Sequence, residues 1–166
     1  MQLTTMFLKE LTAEAATTRK MLSLVPTEKF GWKPHEKSMT LQQLSTHIAE
    51  LPGWITLVLN TSELDFATQP YDPVQINDTK ALLDYFETTL ATGKKSLEAA
   101  TDKDLEVNWV MRNGKELYMD APKSEVLRMC FSQVIHHRAQ LGVFLRLLNI
   151  PIPGSYGPSA DEMPLK

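Results

Sequence analysis

The chain has 166 residues, a formal net charge of −3 and a pI near 5.8. This length predicts one domain, large enough to bury a core without disulfides or a structural metal. The mild acidity argues against nucleic acid as the main partner, because phosphate binding needs a concentrated basic face.

The sequence also predicts where the protein resides. Cys130 is the one cysteine, so no internal disulfide can form, and a lone thiol suits a reducing compartment. Lys9 and Glu10 interrupt the first apolar run, so we expect no signal peptide. No stretch approaches 18 uncharged apolar residues, so we expect no membrane span. Together these features predict a cytoplasmic protein with no membrane partner.

Residues 2–24 predict the first helix, because apolar side chains recur every three or four positions. Pro26 ends this helix. Residues 27–39 are aperiodic and contain a glycine and a proline, so we expect a loop or a short helical turn there.

The second helix has a sharp start. Thr40 followed by Gln43 is a capping-box pattern, in which each side chain satisfies a backbone N–H of the first turn. Pro52 and Gly53 lie inside the pattern and should kink or shorten the helix. The apolar stripe consists of Leu41, Leu44, Ile48, Leu51, Ile55 and Val58.

Residues 61–76 form a long connection with two prolines, which is long enough to cross a helical bundle. A third helix should begin near Asn77 or Asp78, since both are good N-caps. Its apolar positions are Leu82, Leu83, Phe86, Leu90 and Leu97.

Residues 107–119 differ from the helical segments, because apolar and polar side chains alternate on both sides of Asn113-Gly114. Asn-Gly between alternating runs is the strongest short-range hairpin signal. We therefore predict a small β-hairpin between the third helix and the last.

Pro122 suits the first position of the last helix, which should reach about Leu148. The tail from residue 149 holds four prolines and two glycines, so it is ordered only if it packs on the surface. The pattern as a whole predicts an all-α fold, a four-helix bundle with a long crossover connection and a small β-hairpin before the last helix.

Two histidines on different helices are the candidate functional residues. His137 fills a gap in the apolar stripe of the last helix, whereas His136 is turned about 100° away. His47 lies between Leu44 and Leu51 on the second helix. We therefore expect His137 to face the core and His47 to lie on the inward face of its helix or at the edge of that face.

A buried imidazole must be hydrogen-bonded or coordinated, since burial without a partner costs a few kcal/mol. One possibility is a metal ion held between helices, and neutral imidazole suits Zn, Ni, Fe or Cu. The position one turn before His137 would supply a third ligand, and that residue is Gln133. The other possibility is that the two histidines bond to each other, to Ser132, to Gln133 or to tyrosine hydroxyls.

Five other residues are weaker candidates. His35 lies in a Pro-flanked loop and could reach the mouth of a site, although such a histidine is more often solvated. Cys130 should be a small core residue. Arg138 should point away from His137 and form a helix salt bridge. Trp32 and Trp54 could line a pocket, but buried aromatic residues are also ordinary core.

Three segments carry a family resemblance: LSTHIAELPGW (44–54), IHHRAQL (135–141) and YGPSADE (156–162). They resemble the DinB-like superfamily of metal-dependent enzymes, and the order of predicted elements agrees across nearly the whole chain. The combination of a histidine on the second helix with the His-His-Arg run on the last helix is the specific part.

The resemblance implies a four-helix bundle, usually a homodimer, with a divalent metal such as Zn, Ni or Fe held by three histidines. On this chain the first falls on His47 and the last on His137. The remaining family histidine corresponds to Gln133, which is a departure from the pattern. The site could then bind metal weakly, use the oxygen of Gln133, or have lost the metal.

The resemblance also implies two functions to compare. Characterised relatives include thiol-dependent S-transferases and a mycothiol-dependent isomerase, so the leading expectation is a metal-dependent transferase or hydrolase. Its partners would be a small-molecule substrate or a thiol cofactor. His35 and His136 are the candidates for a general base. The alternative is a non-catalytic bundle that binds a small molecule or a partner and keeps a degenerate metal site.

Overall fold

A computed structural model describes residues 2–163. Its helices are α1 (Leu3–Leu22), α2 (Leu41–Asn60), α3 (Thr79–Ala99), α4 (Asp102–Glu106) and α5 (Lys123–Leu147). Its strands are β1 (Glu63–Asp65), β2 (Asn108–Asn113) and β3 (Glu116–Pro122). A short 3-10 turn, Thr27–Lys29, lies in the segment predicted as a loop or short turn.

The fold is mostly helical, and the prediction of an all-α chain is corrected by a three-stranded sheet with the order β1-β2-β3. The predicted hairpin is confirmed as the antiparallel pair β2 and β3. Strand β1 is an addition: it lies in the long connection and pairs parallel to β2, with Leu64 opposite Met111. Asp65 fixes this strand, because its Oδ1 accepts a hydrogen bond from the backbone N–H of Gly114 at 2.9 Å.

The hairpin turn lies one residue later than predicted. Asn113 is still in β2 and pairs with Glu116, so the two turn residues are Gly114 and Lys115. Gly114 has φ of 57°, a conformation that glycine adopts without a Cβ penalty. The pattern therefore predicted the hairpin, but placed its turn wrongly.

The predicted capping box at the start of α2 is present. Thr40 Oγ1 accepts from the Gln43 N–H at 3.1 Å, and Gln43 Oε1 accepts from the Thr40 N–H at 2.9 Å. The predicted shortening at Pro52 is wrong, because α2 runs through it. A Cβ on Gly93 of α3 would lie 2.5 Å from the Pro52 carbonyl oxygen, so this glycine allows the two helices to pack closely at the proline.

Helix α2 packs against α3 and α5, and α1 packs against the same two helices from the other side. The core between them is aromatic and aliphatic, and Phe7 of α1 stacks on Phe131 of α5 with ring centroids 5.6 Å apart. Burial of such side chains contributes roughly 1.5–3 kcal/mol each. None of the helices in the described part of the chain is long and apolar enough to span a membrane.

The tail packs on the surface of α5. This is the arrangement in which a segment rich in proline and glycine was expected to be ordered. Asn149, with φ of 59°, ends the helix in the left-handed conformation common at C-termini. Asp161 then accepts hydrogen bonds from Arg146 and from the Ile152 N–H. Tyr156 donates to Glu14 of α1 at 2.8 Å. The last three residues of the predicted tail lie outside the described residues.

Arg138 occupies a core position of α5 and corrects two sequence expectations. Its side chain is only 2% exposed, so at this turn of α5 the residue that faces the core is Arg138 and not His137. Its ion pair is not within its own helix: Nη1 lies 2.6 Å from Oε2 of Glu14 on α1. Arg138 also donates to Thr18 and to the hydroxyl of Tyr156, both at 3.1 Å.

Candidate functional site

The structure brings His47 of α2 and His137 of α5 together. Their imidazole rings meet edge to face, with centroids 4.7 Å apart. Both side chains are half-buried. This corrects the expectation that His137 faces the core, whereas His47 fits the edge of the inward face. The two histidines face each other across the α2–α5 interface, and neither side chain is fully buried.

His47 is oriented by a carboxylate one turn further along α2. Its Nδ1 lies 2.5 Å from Oε1 of Glu50, whose side chain is only 9% exposed. The same oxygen accepts a hydrogen bond from the hydroxyl of Tyr71, at 2.9 Å. Partial burial and this bond raise the pKa of Tyr71, so its hydroxyl stays protonated. A carboxylate oxygen accepts hydrogen bonds, so the geometry makes Nδ1 of His47 the donor, and in the neutral imidazole Nε2 then carries the lone pair.

His137 has an equivalent partner at the same spacing. Its Nδ1 lies 2.8 Å from Oε1 of Gln140, so Nδ1 donates and Nε2 is again left free. Burial lowers the pKa of His137; the bond to Gln140 opposes this shift, and the neighbouring His47 and His136 add to it. His137 is therefore neutral at pH 7, the form in which imidazole coordinates metal.

The other two histidines are placed differently. His136 is exposed, and its ring lies 4.8 Å from the ring of His137, so three imidazoles form a row. The periodicity placed His136 on another face and did not predict this contact. His35 stays in the loop before α2, where its Nδ1 accepts from the Lys37 N–H at 3.2 Å.

Two clefts meet at His47. The small cleft, about 110 Å³, lies between α2, α5 and β2 and is lined by His47, Leu51, Trp54, Met111, Met129, Cys130 and Gln133. The large cleft, about 270 Å³, lies between α2 and the segment before α3 and is lined by Met39, Gln42, Gln43, Thr46, His47, Tyr71, Pro73, Val74 and Gln75.

The small cleft contains the predicted third ligand, Gln133, which is half-buried beside His47. Cys130 also lines this cleft, and burial raises the pKa of its thiol to about 12. The thiol is therefore protonated and is neither a nucleophile nor a good ligand at neutral pH. Trp54 lines the cleft as well, whereas Trp32 packs against Phe144 of α5.

The side chains of His47, His137 and Gln133 meet some of the requirements of a metal site but not all of them. Within residues 2–163, no group of three or more His, Cys, Asp and Glu side chains is arranged to hold a metal. However, a metal-binding histidine usually donates its second ring N–H to a carboxylate or a carbonyl oxygen, and His47 and His137 both do so. The chain therefore supplies two oriented nitrogen donors, with the weaker amide oxygen of Gln133 close by.

The sequence interpretation missed Glu50, Tyr71 and Gln140. Glu50 and Gln140 each follow a candidate histidine by three residues, a spacing that places two side chains on one helix face. This repeated pattern could have identified both partners. Tyr71 carried no such signal, because it lies in an irregular segment brought to α2 only by the fold.

The chain is similar to known proteins over nearly its whole length. It is 26% identical over 159 residues to the uncharacterized protein YrdA of Bacillus subtilis, covering 94% of this chain and 89% of that one. The crystal structure of the DinB-like protein YjoA of Bacillus subtilis superimposes with a TM-score of 0.71 at 16% identity, covering 90% of this chain and 96% of that one.

A further solved structure is more distant. The mycothiol-dependent maleylpyruvate isomerase superimposes with a TM-score of 0.61 at 18% identity, covering 84% of this chain and 60% of that one. At this identity the likeness shows a common fold. The model of the DinB family matches residues 1–164, and the chain therefore belongs to the DinB family.

Proposed function

We propose that the chain is a metal-dependent enzyme that acts on a small molecule. His47 and His137 are the ligands of one divalent ion (Zn, Ni or Fe), and Gln133 is a third ligand or a hydrogen-bonding neighbour. One observation carries this proposal: the two imidazoles lie 4.7 Å apart, and each has Nδ1 engaged by its own partner and Nε2 free.

The reaction that we propose is thiol S-transfer or hydrolysis, with a thiol cofactor or water as nucleophile. A bound divalent ion would lower the pKa of that thiol or water and supply a nucleophile near neutral pH. Support comes from the family and from the common fold with an isomerase whose name states mycothiol dependence.

The chain's own residues have separate roles in this proposal. Glu50 holds His47 in one tautomer, and Gln140 does the same for His137. Tyr71 ties the segment before α3 to Glu50, which closes one side of the large cleft. His136 is the candidate general base, because it is exposed and its ring contacts His137.

The remaining expectations are part of the same proposal. The helices α1, α2, α3 and α5 would form a four-helix bundle. The protein would be a homodimer and would reside in the cytoplasm. The reduced, buried Cys130 is compatible with that compartment. Nucleic acid is not a proposed partner, because the net charge is −3.

Metal analysis of untagged protein purified without chelators tests the proposal. We expect close to one equivalent of a divalent metal in the wild type and a strong reduction in His137→Ala. His35→Ala is the matched control, since His35 lies in a separate loop. Less than about a tenth of an equivalent, unchanged in His137→Ala, would overturn the proposal.

A second candidate function is favoured by Gln133. In this alternative the chain binds a small molecule or a partner without catalysis, and the histidine pair is a degenerate metal site. The absence of a three-ligand group of His, Cys, Asp or Glu within residues 2–163 supports it.

A further inference from the structure

The lining of the small cleft beside His47 is mostly apolar. Its walls are the side chains of Leu51, Trp54, Met111, Met129 and Cys130. Cys130 belongs to this apolar set, because its thiol is buried and protonated. The imidazole of His47 and the amide of Gln133 supply the polar groups. A ligand in this cleft thus places an apolar group against the walls and a polar group at His47.

The volume of the small cleft limits what can enter. An apolar cavity of about 150 Å³ accommodates benzene. At about 110 Å³, the small cleft is smaller than that cavity and suits an apolar group of about four carbons. Its walls come from three elements, α2, α5 and β2, so the fold rather than one mobile loop sets this size.

Charge limits the ligand further. Among the described residues, none of those lining either cleft is Lys, Arg, Asp or Glu. Glu50, behind His47, already accepts from His47 and Tyr71 through one oxygen. An ionised group in the small cleft would lose its hydration and meet no opposite charge among the lining residues, which is costly. An uncharged chain loses nothing comparable and gains from apolar burial.

The large cleft continues from the other side of His47 and is more polar. Gln42, Gln43 and Gln75 contribute amides, and Thr46 contributes a hydroxyl. Gln42 and Gln43 already use part of their capacity on the Ile76 carbonyl and the Thr40 N–H. The wall thus offers neutral hydrogen-bonding groups, which suit an uncharged polar remainder of a substrate.

From these features we infer a substrate class: molecules with a small, uncharged apolar substituent, which the small cleft binds next to the reacting group at His47. The neutral polar remainder of the molecule lies in the large cleft. Only the position of the reacting group rests on the proposed function, because the size and the apolar walls of the small cleft do not depend on a metal. A divalent ion on His47 would add positive charge at the polar end of the cleft, so the charge preference is tested on metal-free protein.

Methionine methyl groups report on each cleft separately. Met111 and Met129 line the small cleft, Met39 lines the large cleft, and Met21 lines a third cleft under the tail. Protein labelled with ¹³C at the methionine methyls is treated with chelator and titrated with butan-1-ol, butyrate or butylammonium. The three probes have the same carbon chain and differ in charge.

We expect butan-1-ol to produce saturable shifts of the Met111 and Met129 methyls. Butyrate and butylammonium should bind at least about tenfold more weakly, because the small cleft offers no counter-charge. The inference is overturned if either ion binds as tightly as the alcohol. It is also overturned if no probe saturates Met111 and Met129.

Two variants at Cys130 verify the location of the binding site. Cys130→Leu fills the cleft and should weaken butan-1-ol binding at least about tenfold, whereas Cys130→Ala enlarges it and should retain binding. If Cys130→Leu does not fold, Met111→Trp fills the same cleft from β2, where the side chain is half-buried. Binding unchanged in a folded filling variant contradicts the assignment.

The titrations separate this inference from the proposed function, because they use metal-free protein. If the untreated protein contains one equivalent of metal but the chelator-treated protein does not discriminate by charge, the inference alone is overturned. Selective butan-1-ol binding in a protein that never acquires metal overturns the proposed function alone.

Discussion

Glu50 and His47 lie one turn apart on α2, and Oε1 of Glu50 accepts the Nδ1 proton of His47 at 2.5 Å. The bond fixes both the tautomer and the ring plane of His47. The same oxygen also accepts from Tyr71 at 2.9 Å, so a buried carboxylate joins the segment before α3 to the histidine pair.

Glu50→Gln should weaken divalent-metal binding about 10- to 100-fold, the usual cost of losing a partner that orients a ligand. The amide keeps the shape of the side chain but loses the charge that makes His47 a stronger donor. Competition against a chromogenic chelator measures the affinity.

Tyr71→Phe is the matched control for Glu50→Gln, because it removes the other hydrogen bond to the same oxygen. It should weaken binding less than Glu50→Gln does. Equal affinity in wild type and Glu50→Gln would show that Glu50 does not support a metal ligand.

Gln133→His tests whether the third position limits the site. A third imidazole should raise the affinity for Zn²⁺ at least about tenfold, or about 1.4 kcal/mol. Ser132→His is the control, since it adds an imidazole at the exposed neighbouring position. A gain confined to Gln133→His would mean that the native site is a weakened one, whereas no gain would remove Gln133 from the site.

Arg138→Met should destabilise the fold by about 3 kcal/mol, because it removes the cation that neutralises the largely buried Glu14 and leaves that carboxylate only its bond from Tyr156. Arg128→Met is a matched control, since Arg128 also joins α5 to α1 through a glutamate, Glu10, but is exposed. It should cost about 0–1 kcal/mol. Urea unfolding compares the two, and similar losses would contradict a special role for the buried pair.

The metal-free protein should lose stability on mild acidification, in part through His137. The unfolded chain protonates a histidine near pH 6.5, whereas burial lowers the pKa of His137 in the folded state. Its contribution is complete above pH 6.5 and falls as the pH drops from 6.5 to the folded pKa, because the unfolded state then binds more protons.

Urea midpoints between pH 7 and 5 measure this contribution. His137→Gln should show a shallower loss of stability than wild type, and His35→Gln serves as the control from the separate loop. A steeper loss in His137→Gln would mean that the folded state favours the charged imidazole.

The sequence predicted those features of the fold that local chemistry determines. Thr40 and Gln43 cap α2 as expected, and Asp78 caps α3 by accepting from the Ala81 N–H at 2.7 Å. Both caps depend on residues three positions apart, so the sequence alone contains the whole interaction. The hairpin was predicted for the same reason.

The features that were missed depend on partners far away in the chain. Strand β1 has three residues and pairs with β2 across α3 and α4, so no local pattern marks it. Arg138 lies at a core position that a charged residue fills only because Glu14 and Tyr156 surround it. Assigning this position to His137 moved the predicted apolar face by one residue.

The candidate site was predicted in part. Helical phase selected His47 and His137, and the structure brings their rings together. Phase could not show that both are half-buried at an edge, since this depends on how α2 and α5 pack. The partners Glu50 and Gln140 could have been predicted, because each follows its histidine by three residues. The clefts could not, because they form only when distant segments pack together.

The central claim is that His47 and His137 hold one metal ion together, and titration with Co²⁺ tests it most directly. The visible spectrum of bound Co²⁺ reports its ligands, and the wild type should show a saturable signal at one equivalent. His47→Ala and His137→Ala should each abolish this signal, and His136→Ala should retain it. A signal that persists unchanged in both His47→Ala and His137→Ala would contradict the claim.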